Sequence, residues 1–184
     1  MVTVTPLALE GVVEIVPRRF ADTRGFFSET YVQSRLADIG MTVEFVQDNH
    51  SLSHRKGTVR GLHYQLPPFA QDKLVRVTRG AIFDVAVDIR RGSPQLGRWI
   101  GVTLSAEKWN QLLVPRGYAH GFMTLEDDTE VVYKVSADYA PQYERCVRFD
   151  DPALAIDWPL KPEHALLSDK DRAAPLLAEA ELHD

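Results

Sequence analysis

The chain has a single cysteine, no long apolar run and no surplus of positive charge. Cys146 has no second cysteine to pair with, so a disulfide within the chain is impossible, which fits a reducing compartment. No apolar run reaches the ~18 residues of a membrane span. Met1 to Phe20 lacks a basic stretch followed by a continuous apolar block, so no secretory signal is expected. Lys and Arg number 21 against 26 Asp and Glu, a formal charge of −5. That excludes a general polyanion binder and predicts no nucleic-acid partner, though a few arginines can still hold a small anion. The 184 residues contain no internal repeat, low-complexity segment or linker, and predict one domain over 1–184. The expectation is a soluble cytoplasmic protein.

What is present is mostly strand. Extended segments are expected at Val12–Val16, Phe26–Tyr31, Val43–Gln47, Thr58–Gln65, Lys73–Thr78, Ala81–Ile89, Trp99–Leu104, Gln111–Val114, Ala119–Thr124 and Glu130–Ser136. Turn signals such as Arg79-Gly80 and Gly92-Ser93-Pro94 separate them. Short, closely spaced strands predict an all-β sandwich or barrel. Helix is expected only at Val32–Ile39, stopped by Gly40, and in a tail from Ser168 to Leu182 that Pro175 breaks into two pieces.

Two histidines stand after glycines on expected strands, His63 in Arg60-Gly61-Leu62-His63-Tyr64-Gln65 and His120 in Pro115-Arg116-Gly117-Tyr118-Ala119-His120. With Gly80, this spacing resembles the cupin type of jelly-roll barrel, in which three histidines and a glutamate hold a divalent metal. Here Gln65 and Lys73 stand at or near two of those ligand positions. Lysine only donates hydrogen bonds and repels a cation, and two histidines fall short of the three protein ligands of a catalytic zinc. No metal or other cofactor is expected.

Strict alternation along a strand groups Val59, Gly61, His63 and Gln65 on one face. It groups Val131 with Tyr133, and Asp84 with Ile82 and Ala86. It places Arg60 opposite His63 unless a bulge at Gly61 turns it. Singly, each of these residues is more commonly an ordinary core or surface side chain. Set together among valines, a histidine, a tyrosine, a lysine and an aspartate are desolvated, which is where proton affinities move most. Arg24 and Arg60 adjoin glycines and suit phosphates. Phe26 or Phe27 can stack on a planar ring. Gln47-Asp48-Asn49 closes an expected strand with groups able to read polar edges.

Taken jointly, Asp22-Thr23-Arg24-Gly25-Phe26-Phe27 with Glu29, Phe45-Val46-Gln47-Asp48-Asn49-His50-Ser51, the His63 segment, Gln71-Asp72-Lys73-Leu74-Val75-Arg76, Phe83-Asp84-Val85-Ala86-Val87-Asp88, the His120 segment, Tyr133-Lys134, Asp138-Tyr139 and Leu167-Ser168-Asp169-Lys170-Asp171 resemble the dTDP-4-dehydrorhamnose 3,5-epimerases over almost the whole chain. Cys146 and Phe149 stand where that family more often has glycine and tryptophan. The resemblance implies a metal-free cupin-type barrel and a homodimer that exchanges N-terminal strands. It implies a base, His63, oriented by Asp169, an acid, Tyr133, on the opposite face of the sugar, and an enolate held by Lys73 with Asp84 and His120 nearby. The dTDP part of the substrate is expected against Arg24, Phe27, Glu29, Gln47, Asp48, Asn49, Arg60, Glu144 and Lys170, with Tyr139 stacking on thymine. Histidine cannot remove a proton beside a ketone unless the developing oxyanion is stabilised, and a cation in a dry site does that. The rivals are a 3- or 5-monoepimerase of a related 4-keto sugar, a non-catalytic sugar-nucleotide-binding cupin, and a metal-dependent cupin enzyme.

Overall fold

The computed structural model describes residues 2–38 and 40–183. Its strands are β1 (Thr3–Pro6), β2 (Val13–Val16), β3 (Phe20–Asp22), β4 (Gly25–Phe27), β5 (Gln47–Ser53), β6 (Val59–Gln65), β7 (Lys73–Arg79), β8 (Ala81–Asp88), β9 (Trp99–Ser105), β10 (Gln111–Val114), β11 (Tyr118–Thr124), β12 (Thr129–Val135) and β13 (Glu144–Cys146). A six-stranded sheet runs β1-β2-β10-β7-β12-β5, and a five-stranded sheet runs β13-β6-β11-β8-β9. β3 and β4 form a separate hairpin. All named strand pairs are antiparallel, and this is the jelly-roll barrel of the cupin type. No helix among the described residues is long and apolar enough to cross a membrane.

Period-two patterning puts Val75 and Val77 of β7, Ile82 and Ala86 of β8, Leu112 and Val114 of β10, and Val131 of β12 into one buried cluster between the sheets. The far face of the five-stranded sheet carries Val59, Leu62, Tyr64, Val85 and Val87. The segment after β13 covers it with Val147, Phe149, Leu154 and Trp158. That segment brings the C-terminal tail back to the barrel, where Leu166 N donates to Gly57 O at 2.9 Å.

The sequence expectations differ from the structure in several places. β1, β3 and β13 carry no expectation, and the extended segment expected at Phe26–Tyr31 is strand only at Gly25–Phe27. The strand expected at Val43–Gln47 instead begins at Gln47 and runs to Ser53. Its sequence, QDNHSLS, is polar on both faces because one face lines a cleft and the other is exposed, so no apolar alternation marks it. The early helix, α1, is short, Gln33–Ala37. Gly40 follows it with φ +82°, the left-handed stop that glycine favours, while Ile39 lies outside the described residues. The tail has one helical turn, α2 (Asp169–Arg172), and after Pro175 a single 3₁₀ turn at Leu177–Glu179.

Candidate active site

The bulge in β6 creates the site. His63 pairs with His120 and Arg60 with Phe122, so three steps along β6 match two along β11. The extra residue turns both Arg60 and His63 inward and sends Val59 to the opposite core. Gly61 carries the bulge with φ +128°, and a Cβ there would lie 2.5 Å from Gly121 Cα. Only glycine fits.

His63 Nε2 lies 2.5 Å from Asp171 Oδ1. A carboxylate only accepts, so Nε2 carries its proton towards Asp171 and the Nδ1 lone pair is left to act as base. Ser168 caps α2: its hydroxyl accepts from Asp171 N at 3.1 Å and donates to Asp171 Oδ2 at 2.8 Å. Burial pushes the Asp171 carboxyl up, but the His63 hydrogen bond and charge, with the Ser168 hydroxyl, outweigh it and hold the carboxyl below the ordinary aspartate value. The partner expected from the sequence, Asp169, is not the residue that meets His63. At 3.6 residues per turn it stands roughly 200° around the helix from Asp171, and it is exposed. The missed signal is Ser168-x-x-Asp171, a capping pattern that folds the third residue's carboxylate back towards the cap.

Across the cleft, the Lys73 ammonium is buried and donates to His63 O at 3.2 Å. Burial pushes it down to about 8, against the pull of Asp84 and then Glu144. His120 Nε2 lies 2.8 Å from Asp84 Oδ1, and both residues are buried. Asp84 Oδ2 has no hydrogen-bond partner. Tyr133 faces the same space from β12, and burial, with Glu144 beyond the opposing charge of Arg60, raises its hydroxyl above the ordinary value. It is therefore a proton donor at neutral pH.

Two cavities meet at His63, Lys73 and Tyr133. One, of about 490 Å³, runs past Arg60, His120 and Phe122 to Ser168 and Asp171. The other, of about 280 Å³, is lined by Gln47, Asn49, Gln65, Tyr139 and Glu144. Glu144 there accepts from Lys170 Nζ at 2.5 Å and from the Tyr139 hydroxyl at 2.8 Å. Asp48 does not join them. Alternation along β5 puts it on the outer face, 3.2 Å from Lys134 Nζ. Arg24, Phe27 and Glu29 line neither cavity. Arg24 pairs with Asp22, Phe27 is 66% exposed on the β3–β4 hairpin, and Glu29 pairs with Arg35.

The donor set does not fit the divalent metal of other cupins. Lys73 is a buried cation, and Gln65 spends its amide on Phe69 O, Asp138 O and Ala140 N. Among the described residues, no three His, Cys, Asp or Glu side chains are grouped to hold a metal.

A family model for dTDP-4-dehydrorhamnose 3,5-epimerase matches residues 6–179. The dTDP-4-dehydrorhamnose 3,5-epimerase of Sinorhizobium fredii is 52% identical over 177 residues, 94% of this chain and 88% of that protein. The crystal structure of the Bacillus anthracis dTDP-4-dehydrorhamnose 3,5-epimerase with TDP and PPi bound has TM-score 0.92 and 46% identity, covering 96% of this chain and 99% of the other. That of a dTDP-6-deoxy-D-glucose-3,5-epimerase from Legionella pneumophila in complex with dTDP-4-keto-L-rhamnose has TM-score 0.93 and 45% identity, covering 97% and 94%. A jelly-roll barrel with a histidine–carboxylate pair, a tyrosine and a buried lysine around one cleft, matched by sequence and fold over nearly its whole length, belongs to the dTDP-4-dehydrorhamnose 3,5-epimerase family.

Proposed function

We propose that this chain is an isomerase that inverts carbons 3 and 5 of dTDP-4-dehydro-6-deoxy-D-glucose to give dTDP-4-dehydro-L-rhamnose, without a metal. The observation that carries this is the convergence of His63, Tyr133 and the buried Lys73 ammonium on one cleft. His63 Nδ1 takes the proton from the carbon beside the 4-keto group. The C–H electron pair becomes the C=C bond of an enolate, and the carbonyl oxygen takes the negative charge facing Lys73. A fixed cation in a desolvated site stabilises that charge far better than water does. Tyr133 then protonates the carbon from the other face, the carbonyl reforms, and solvent restores both groups. Asp171 holds the imidazole and stabilises it once charged. The same cycle serves the second carbon.

The nucleotide is expected along Gln47, Asn49, Tyr139, Glu144 and Lys170, with Tyr139 stacking on thymine and Arg60 on the diphosphate. Arg24, Phe27 and Glu29 complete the site from outside. The exposed β3–β4 hairpin supports an exchange in which these residues reach the cleft of the second subunit of a homodimer. Incubation with dTDP-4-keto-6-deoxyglucose in D₂O, followed by NMR, is the test. Exchange with inversion at both carbon 3 and carbon 5 is expected. Exchange at one carbon makes the chain a monoepimerase, and exchange at neither overturns the reading.

A further inference from the structure

Residues 137–140 leave β12 without a strand partner, yet three glutamine side chains from other parts of the chain hold their backbone. Gln71 Nε2 donates to Ala137 O at 2.7 Å. Gln65 Nε2 donates to Asp138 O at 3.2 Å, and its Oε1 accepts from Ala140 N at 2.8 Å. Gln47 Oε1 accepts from Tyr139 N at 3.0 Å. An irregular backbone must find partners for its N–H and C=O groups, and a glutamine amide satisfies one of each at once. Gln65 does so while only 4% exposed, and it is tied to Phe69 O as well. The Tyr139 side chain is 54% exposed and reaches Glu144 only through its hydroxyl. With so little of it buried, the ring depends on its hydroxyl bond to Glu144 at one end and on its backbone at the other.

We propose that Gln65, assisted by Gln71, is a positioning residue that sets the Tyr139 ring as the wall on which the base of a pyrimidine nucleoside diphosphate stacks. This rests on the nucleotide-sugar reading above. Gln65 stands at the position that the metal-bearing barrels fill with a ligand histidine. A preorganised ring loses less freedom when the base binds, so the clamp acts on affinity.

The experiment is a double-mutant cycle with dTDP as the probe, read by calorimetry. Gln65→Met keeps the length of the side chain and removes both hydrogen-bonding groups. It is expected to weaken dTDP about tenfold, and in turnover to raise KM more than it lowers kcat. In a Tyr139→Ala background the same substitution is expected to cost less than about twofold, because no ring is left to position. An equal loss in both backgrounds, or none in the first, overturns the proposal. If the parent chain itself fails to bind dTDP, the nucleotide reading falls and takes the proposal with it. Should Gln65→Met not fold, Gln71→Leu carries the same cycle with a smaller loss of about threefold expected.

Discussion

Two histidine–aspartate pairs flank the same cleft, and they are built differently. His120 and Asp84 come from neighbouring strands β11 and β8, with side chains 8% and 0% exposed. His63 and Asp171 join β6 to the C-terminal tail across 108 residues of chain, with side chains 29% and 4% exposed. In the first pair one carboxylate oxygen is left without a hydrogen bond. In the second, both oxygens are bonded, one to the imidazole and one to Ser168. A sealed pair inside a barrel is first a structural element, and here only its imidazole borders the cavity. A half-open imidazole with a fully satisfied carboxylate is the arrangement that suits the proton transfer proposed for His63.

The sharpest way to break that distinction is to remove each imidazole. His63→Ala should abolish epimerisation and deuterium uptake together, a loss of about 10⁴-fold at the upper range for a general base. The melting temperature should fall only moderately, because buried Asp171 loses the imidazole but keeps the Ser168 hydroxyl. His120→Ala leaves Asp84 buried without its partner, which is costly, so it should lower the melting temperature more and turnover less. The reverse ordering would exchange the two roles. Tyr133→Phe follows His63→Ala in size, within about 10²–10⁴-fold. It should fail differently, because the enolate still forms and His63 returns a deuteron to the original face. Slow exchange without inversion is the expected NMR result, and wild-type inversion would remove Tyr133 from the mechanism.

Next in size is the carboxylate. Asp171→Asn should cost about 10²-fold in kcat, since an amide can leave the imidazole in the wrong tautomer and cannot stabilise its charged form. Asp169→Asn should cost less than about threefold. Equal losses would contradict the geometry.

The same contrast explains what could be read beforehand. His63, Asp84 and Tyr133 lie on strands with apolar neighbours, where period-two alternation groups them. Lys73 and His120 follow from the cupin-type spacing and the family resemblance, and none of the five needs any knowledge of the tail. The bulge that brings Arg60 round to His63 was readable from a conflict between alternation and the expected site, with Gly61 at the point of conflict. Asp171 was not read. In Ser168-Asp169-Lys170-Asp171 two acids compete, and only the capping geometry of a one-turn helix selects the second. Asp48 enters the expected site through the family resemblance, and as the second residue of β5 it faces outward to Lys134. Gln65 was recognised as a lost metal ligand, but its hold on the 138–140 backbone depends on a loop fold that no periodicity reports.

A smaller effect comes from Lys73, which stands between the two pairs. Burial lowers its ammonium to about 8, and the charged form is the one that holds the enolate. The alkaline limb of turnover should therefore fall as pH rises through about 8, approaching a tenfold loss per further pH unit, while acid separately removes activity by protonating the His63 base. Lys73→Arg, which does not titrate in this range, should lose that alkaline limb while being slower at neutral pH. A wild-type profile flat to pH 10 would show that this charge is not used.

The smallest expected effect tests why the second pair is open yet ordered. Ser168 does two things at once: its oxygen caps α2 by accepting from Asp171 N, and its proton goes to Asp171 Oδ2. Substitution separates them. Ser168→Thr keeps both and should retain more than half of kcat. Ser168→Ala loses both, and because Ser168 is exposed water can replace part of the interaction, so about a tenfold loss is expected, the worth of one good hydrogen bond. Ser168→Asp is the discriminating variant. Aspartate caps helices as well as serine, but its carboxylate offers Asp171 no donor and adds a like charge beside it. If Ser168 merely holds the helix, the aspartate variant should match wild type. If it orients the carboxylate that orients His63, that variant should be at least as slow as the alanine one, with the loss in kcat for deuterium exchange and the melting temperature preserved. A fast, stable Ser168→Asp enzyme would leave the His63–Asp171 pair ordered by packing alone, and would erase one of the two differences that set it apart from His120–Asp84.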